Sequence, residues 1–80
     1  MTKKWIGVDL DGTLAYYDGW KGKDHIGQPI QIMVERVKKW LMEGKKVKIF
    51  TARAAIPEYI PPVRNWLKSI GLGELEITNV

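Results

Sequence analysis

The stretch Trp5-Ile6-Gly7-Val8-Asp9-Leu10-Asp11-Gly12-Thr13-Leu14 brings two carboxylates to the end of an apolar run. The apolar, β-prone half of this stretch predicts a strand over residues 4–9. If the strand ends at Asp9, Asp11 lies in the following loop, and the two carboxylates can converge on one point from different backbone directions. Two carboxylates at such a short distance from each other bind a divalent cation or take part in acid–base chemistry. The alternative interpretation is a pair of loop acids that cap a turn.

Length and composition place the chain among small globular domains. Its 80 residues include 45% hydrophobic residues and four tryptophans, which suffice for a core in one domain over residues 1–80. Cysteine is absent, which excludes disulfides and thiolate metal sites. No apolar run approaches the roughly 20 residues that cross a bilayer, and the short run after Met1–Lys4 ends in aspartates, unlike a secretory signal. We therefore expect a cytoplasmic protein with no membrane contact.

The formal net charge of +4 is modest, and its placement is more informative than its size. One interpretation of the lysine cluster is a solvated face with cations near a helix C-terminus. The other is a field that attracts phosphorylated or nucleic-acid substrates. A nucleic-acid surface of alternating basic and aromatic residues is not indicated. The cluster consists of Lys38, Lys39, Lys45, Lys46 and Lys48.

Proline and glycine divide the remaining chain into elements that alternate between strand and helix. Such a β-loop-α-β-α-β order predicts an α/β fold with a parallel three-stranded sheet. The first strand is apolar enough to be buried on both faces, as parallel strands are. The predicted elements are a strand at 4–9, a flap at 12–29, a helix from Ile30 to Gly44, a strand at 47–51, a helix from Pro61 or Pro62 to Gly71, and a strand at 75–78. Each helix has an apolar stripe at helical spacing. The stripes consist of Ile30, Met33, Val34, Val37, Trp40 and Leu41 in the first helix and of Val63, Trp66, Leu67 and Ile70 in the second.

Two segments resemble motifs of a known family. Asp9-Leu10-Asp11-Gly12-Thr13-Leu14, after a hydrophobic strand, resembles the first motif of the haloacid-dehalogenase-like (HAD) phosphohydrolase superfamily. Ile49-Phe50-Thr51-Ala52-Arg53 resembles the second motif, in which Thr or Ser binds phosphate. The segment between them, residues 17–27, is similar to small HAD-like proteins of bacteria and phages. The resemblance spans essentially the whole chain and implies a phosphatase.

The resemblance also implies a role for each motif residue. Asp9 would be the nucleophile that forms an aspartyl-phosphate, and Asp11 would be the general acid and base. Mg²⁺ would be bound by the Asp9 carboxylate, the Asp11 main-chain carbonyl and a phosphate oxygen. Thr51 and the backbone N–H of Ala52 would hold phosphate oxygens, and Gly12 would let the loop backbone approach the ligand closely.

For several other residues the sequence leaves alternatives open. Arg53 either contacts substrate phosphate or is a surface cation, and the surface interpretation is slightly favoured. His25, the only histidine, is expected on the flap surface, near the site entrance at most. Tyr16, Tyr17 and Trp20 either line a substrate pocket or pack the flap against the core. The other tryptophans, predicted to be core residues, are Trp5, Trp40 and Trp66.

The HAD superfamily has further parts that this sequence does not display. Its third motif supplies a Lys or Arg and its fourth supplies further acids, and neither Arg64 nor Lys68 is assigned to the third-motif role. The superfamily sheet order 3-2-1-4-5 implies that the chain is the N-terminal half of a HAD-like Rossmannoid domain, with strand order 3-2-1 and an exposed first-strand edge. The chain is then a fragment, which is the favoured alternative, or a homo-oligomer that pairs through this edge, or a non-catalytic module that binds phosphate or metal. The expected substrate of an active form is a small phosphate ester or nucleotide.

Overall fold

A computed structural model describes residues 5–80, which form a small α/β chain with a three-stranded parallel sheet and two helices. The strands are β1 (Ile6–Asp9), β2 (Val47–Phe50) and β3 (Glu76–Thr78), and the helices are α1 (Gln31–Met42) and α2 (Ile60–Ser69). The sheet order is β1-β2-β3, and both strand pairs are parallel, as predicted. The predicted start of the first strand, Lys4, lies outside the described residues.

The core lies between one face of the sheet and the two helices. Residues opposite each other in a parallel sheet point to the same face, and Val8, Ile49 and Ile77 are register partners across the three strands. Val8 and Ile49 are buried, and Ile77 packs partly buried against the core. The helices contribute buried residues from the predicted apolar stripes, namely Val34 and Val37 from α1 and Val63 and Leu67 from α2.

The opposite face of the sheet is open, so the prediction that the first strand is buried on both faces is wrong. Gly7 and Asp9 of β1 are exposed, and Phe50 of β2 remains 43% exposed. No described helix packs over this face, because both helices contribute their buried residues to the core on the other side. Trp5 is also not a core residue, since its ring lies beside Gly7 and 4.6 Å from the Lys48 ammonium.

Both helices end where the sequence predicts, at glycines with positive φ. Gly44 (φ 82°) follows α1 and Gly71 (φ 80°) follows α2, a backbone conformation that side-chain-bearing residues rarely adopt. The prolines Pro61 and Pro62 occupy the first turn of α2, where a missing N–H costs no helical hydrogen bond. Two 3₁₀ turns between β2 and α2, Ala52–Ala55 and Pro57–Tyr59, have no counterpart in the prediction.

The segment at residues 12–29 contains neither helix nor strand and is tied down at its base. The N–H of Tyr16 donates to the carbonyl of Gln28 at 2.9 Å, and the Trp66 indole N–H donates to the Gly27 carbonyl at 3.0 Å. Gly27 lies so close to the Tyr16 carbonyl that a Cβ would be 2.1 Å from its oxygen. The flap therefore begins and ends at one point beside α2.

Over residues 5–80, neither helix combines the length and apolar character needed to cross a membrane.

Candidate active site

A cleft of about 440 Å³ opens where β1 and β2 end. Its polar wall combines residues that follow the two strands, and its other wall is aromatic. Of the six residues predicted for the site, all but Gly12 line the cleft. The lining consists of Asp9, Asp11, Thr51, Ala52 and Arg53 on the polar side and Tyr17, Trp20 and Tyr59 on the aromatic side.

The two aspartates of the cleft differ in their surroundings, and Asp9 is the more exposed of the two. It is the last residue of β1, lies opposite Phe50 of β2, and is exposed. Within residues 5–80 its carboxylate forms neither a hydrogen bond nor an ion pair. An exposed carboxylate with free lone pairs is available to bind a cation or to attack an electrophile.

Asp11, by contrast, is fully engaged by one partner. Its Oδ2 accepts a hydrogen bond from Arg53 Nε and its Oδ1 accepts one from Arg53 Nη2, each at 2.9 Å. The Asp11 side chain is 23% exposed and the Arg53 side chain 5% exposed. This two-point contact between a planar guanidinium and a carboxylate is among the stronger hydrogen-bonded pairs in proteins.

Arg53 is buried, so the surface interpretation favoured from the sequence is wrong. Besides Asp11, its guanidinium donates to two carbonyls of the flap, that of His25 at 3.1 Å and that of Lys23 at 3.4 Å. Its central carbon lies 4.8 Å from the Trp20 ring centroid, a cation–π contact. Because Asp11 and Arg53 are 42 positions apart in the chain, no local pattern in the sequence could reveal the pair.

Thr51 is buried at the end of β2, and its hydroxyl starts the turn that carries Arg53. The hydroxyl oxygen accepts a hydrogen bond from the Arg53 backbone N–H at 3.2 Å, as a cap of the first 3₁₀ turn. Its hydrogen remains available as a donor toward the cleft. The backbone N–H of the next residue, Ala52, donates to no backbone carbonyl within residues 5–80. Both groups are therefore free to bind an anion.

Gly12 has a structural role that does not require a ligand. Its φ of 89° makes the turn after Asp11, and its N–H donates to the Ala15 carbonyl at 2.8 Å. A Cβ added there would meet nothing within 4 Å. The backbone angle, rather than a close approach, is thus what favours glycine at this position.

The aromatic residues on the flap divide between cleft and surface. Trp20 stacks on Tyr59 with ring centroids 5.6 Å apart and planes inclined by 20°, which connects the flap to the second 3₁₀ turn. Tyr17 also lines the cleft and is half exposed, whereas Tyr16 is 63% exposed and does not line it. His25 is exposed and contributes only its carbonyl to the contacts around Arg53.

Two other features of the surface lie apart from the carboxylates. A larger groove of about 580 Å³ runs along α2 between Lys23 and Trp66, and neither Asp9 nor Asp11 lines it. Arg64 donates to the carbonyls of Gly73 and Leu75, so it orders the loop before β3, and it does not line the cleft. Among the residues that line the cleft, Arg53 is the only cation.

The donor set of the cleft fits Mg²⁺ better than a cation held by protein ligands alone. No group of three or more His, Cys, Asp or Glu residues comes together among residues 5–80. Mg²⁺ commonly binds through one or two carboxylates and fills its remaining positions with water and substrate phosphate. The Asp9 carboxylate and the Asp11 main-chain carbonyl, which accepts no backbone hydrogen bond within the described part of the chain, suit such a site.

No protein-family model matches this chain, and no curated protein or solved structure shows significant similarity to it.

Proposed function

We propose that the chain is a Mg²⁺-dependent phosphohydrolase of the HAD-like superfamily, acting on a small phosphate ester or nucleotide through an aspartyl-phosphate. The observation that carries the proposal is the Asp9 carboxylate, which has no partner among residues 5–80 and lines the same cleft as Thr51, Ala52 and Arg53. On this proposal, β3, β2 and β1 correspond to strands 3-2-1 of the superfamily sheet. The open edge of β1 would then be a surface for pairing with a further strand.

Asp9 would attack phosphorus in line with the departing oxygen. A carboxylate nucleophile divides a difficult displacement into the formation and the hydrolysis of an acyl phosphate. Its position at the end of a strand holds the carboxylate on a rigid element, and the absence of a competing hydrogen bond within residues 5–80 leaves its lone pairs free. The geometry therefore favours Asp9 over Asp11 as the nucleophile.

Charge explains why a metal ion would be required. Two carboxylates and one guanidinium line the cleft, so it has a net negative formal charge and repels a phosphate dianion. Mg²⁺, when bound, would neutralise this charge and polarise the phosphoryl oxygens. Asp9 and the Asp11 carbonyl would hold the ion, and the Thr51 hydroxyl with the Ala52 N–H would orient the other phosphate oxygens.

Asp11 would supply the proton to the leaving oxygen and then remove one from the attacking water. In the bidentate pair with Arg53 both of its oxygens are acceptors, so it is not arranged to donate a proton. Acid–base work by Asp11 therefore requires at least one of these hydrogen bonds to break.

The same pair favours a second candidate function, a non-catalytic module that binds phosphate or metal. If Arg53 holds Asp11 permanently, the cleft retains a nucleophile and an anion cradle but lacks a working acid. Such a module would bind orthophosphate or Mg²⁺ without turnover. The two functions differ in whether Asp11 is released.

Hydrolysis of p-nitrophenyl phosphate distinguishes the two. The enzyme proposal predicts turnover that requires Mg²⁺ and is lost in Asp9→Asn. The matched control is Asp18→Asn, which changes an exposed flap aspartate that does not line the cleft and should leave the rate unchanged. Absence of turnover in the folded wild-type chain, together with saturable binding of phosphate or Mg²⁺, would favour the binding module instead.

A further inference from the structure

Arg53 joins two parts of the molecule that otherwise make separate contacts. Two of its hydrogen bonds engage Asp11, which follows β1, and two engage the flap carbonyls of Lys23 and His25. All three guanidinium nitrogens of Arg53 therefore donate hydrogen bonds, and the side chain is only 5% exposed to solvent. The position of the flap and the availability of Asp11 thus depend on the same guanidinium.

We propose that Arg53 is a positioning residue that exchanges partners when phosphate binds, and that this exchange releases both Asp11 and the flap. In the state described here the guanidinium holds the Asp11 carboxylate and the flap together. A phosphate in the cleft would take over the Nε and Nη2 donors, which now engage both Asp11 oxygens and the His25 carbonyl, and only the long Nη1 contact to the Lys23 carbonyl would remain. The inference rests on the proposed function only in placing that phosphate in the cleft.

The relative strengths of the partners favour this exchange. A phosphate dianion has more charge than a carboxylate and accepts the same two-point contact from arginine. Asp11 is 23% exposed, so water can solvate the carboxylate once it is released. The Lys23 contact is already long, at 3.4 Å, and is the weakest of the four.

The flap provides a direct way to observe the exchange. The ends of residues 20–27 are held by the Trp20–Tyr59 stack and by the Trp66 hydrogen bond to the Gly27 carbonyl, and Ile26 packs against the core. Without the Arg53 hydrogen bond to His25, residues 21–25 would retain one backbone–backbone hydrogen bond within the described chain, from the His25 N–H to the Gly22 carbonyl at 3.2 Å. A ligand that simply sat beneath a flap would slow amide exchange there. An exchange of Arg53 partners would instead make amide exchange in the flap faster, because it loosens the flap while the ligand is bound.

The test is hydrogen–deuterium exchange of the full chain with inorganic phosphate and Mg²⁺, compared with Mg²⁺ alone. We expect exchange of the His25 amide, the one backbone N–H of residues 20–27 with a backbone acceptor in the described chain, to become about tenfold faster, the factor for loss of a charge-assisted hydrogen bond. Arg53→Lys, which retains the charge but not the two-point contact, should abolish this response. Arg64→Lys is the matched control, since Arg64 binds loop carbonyls away from the cleft, and it should retain the response.

Unchanged or slower flap exchange in wild-type protein with bound phosphate would overturn the inference, and so would failure of phosphate to bind. This measurement on the wild-type chain decides the question even if Arg53→Lys does not fold. If p-nitrophenyl phosphate is hydrolysed in an Asp9-dependent way but the flap does not respond, the proposed function stands and the Arg53 inference fails. If the flap responds but no hydrolysis occurs, the Arg53 inference stands and the proposed function fails.

Discussion

The Asp11–Arg53 pair should make a measurable contribution to stability, and Asp11→Asn tests it. The substitution retains the size of the side chain and removes its charge, which leaves Arg53 buried at 5% exposure with no counter-charge. Breaking a fully buried ion pair costs about 3–5 kcal/mol. Because the Asp11 side chain is 23% exposed and water can reach it, we expect about 2–3 kcal/mol.

In a chain of this size, such a loss would be a large part of the total stability. A domain of 80 residues has a free energy of unfolding of about 4–12 kcal/mol. At about 4–8 °C per kcal/mol, the midpoint of thermal unfolding should fall by roughly 10–20 °C. An exposed ion pair would produce no shift of this size.

The assay is a double-mutant cycle of urea unfolding on the wild-type chain, Asp11→Asn, Arg53→Met and the double variant. If the two side chains stabilise the fold through each other, the double variant should lose about 2 kcal/mol less than the sum of the single losses. Asp18→Asn is the control, since Asp18 pairs with Lys21 on the exposed flap, and it should shift the unfolding midpoint far less than Asp11→Asn does. Additive losses would refute the reasoning, because they would show that the pair contributes no coupling.

Three further predictions concern the flap, the core and the response to acid. Gly27→Ala would place a Cβ 2.1 Å from the Tyr16 carbonyl oxygen. The free energy of unfolding, measured with denaturant, should therefore fall by about 1–3 kcal/mol, and proteolysis should cut the flap faster. Unchanged stability and proteolysis would contradict the close contact. Leu67→Ala removes a fully buried side chain and should cost about 2–5 kcal/mol in the same assay, whereas a loss well below this range would place Leu67 outside the core. The hydrogen bond and charge of Lys21 hold the pKa of Asp18 below its ordinary value of 3.8. A lowered pKa stabilises the fold above the ordinary value, and this contribution is lost as the pH falls through the lowered one. The small difference in stability between the wild-type chain and Asp18→Asn should therefore be present above about pH 4 and disappear below it, and about 1 M salt should abolish it; a difference found only below about pH 4 would contradict this assignment.

The sequence predicted the order and type of the regular elements because local signals determine them. Gly44 and Gly71 end the helices through positive φ angles, and the prolines of α2 lie in its first turn. The period of the apolar residues correctly identified the buried faces of both helices. These signals act within a few residues, so they can be interpreted without knowing the tertiary structure.

The errors occurred where a residue depends on distant partners. Burial of the first strand was overestimated because an apolar run does not reveal whether another element covers its second face, on which Gly7 and Asp9 are exposed. Arg53 was expected at the surface because its partners, Asp11 and two flap carbonyls, are 28 to 42 positions away. An arginine two positions after the predicted site threonine, Thr51, was the one available signal of a role in the cleft.

The assignment of Asp9 as nucleophile is the central claim, and trapping the phosphorylated residue tests it most directly. The chain would be mixed with p-nitrophenyl phosphate and Mg²⁺, quenched in acid, digested with trypsin and mapped by mass spectrometry. Cleavage after Lys4 and Lys21 yields one peptide that contains both Asp9 and Asp11. We predict one phosphoryl group on Asp9, with more of it in Asp11→Asn, because hydrolysis of the intermediate lacks its base. A phosphoryl group on another residue, or turnover that survives in Asp9→Asn, would contradict the account.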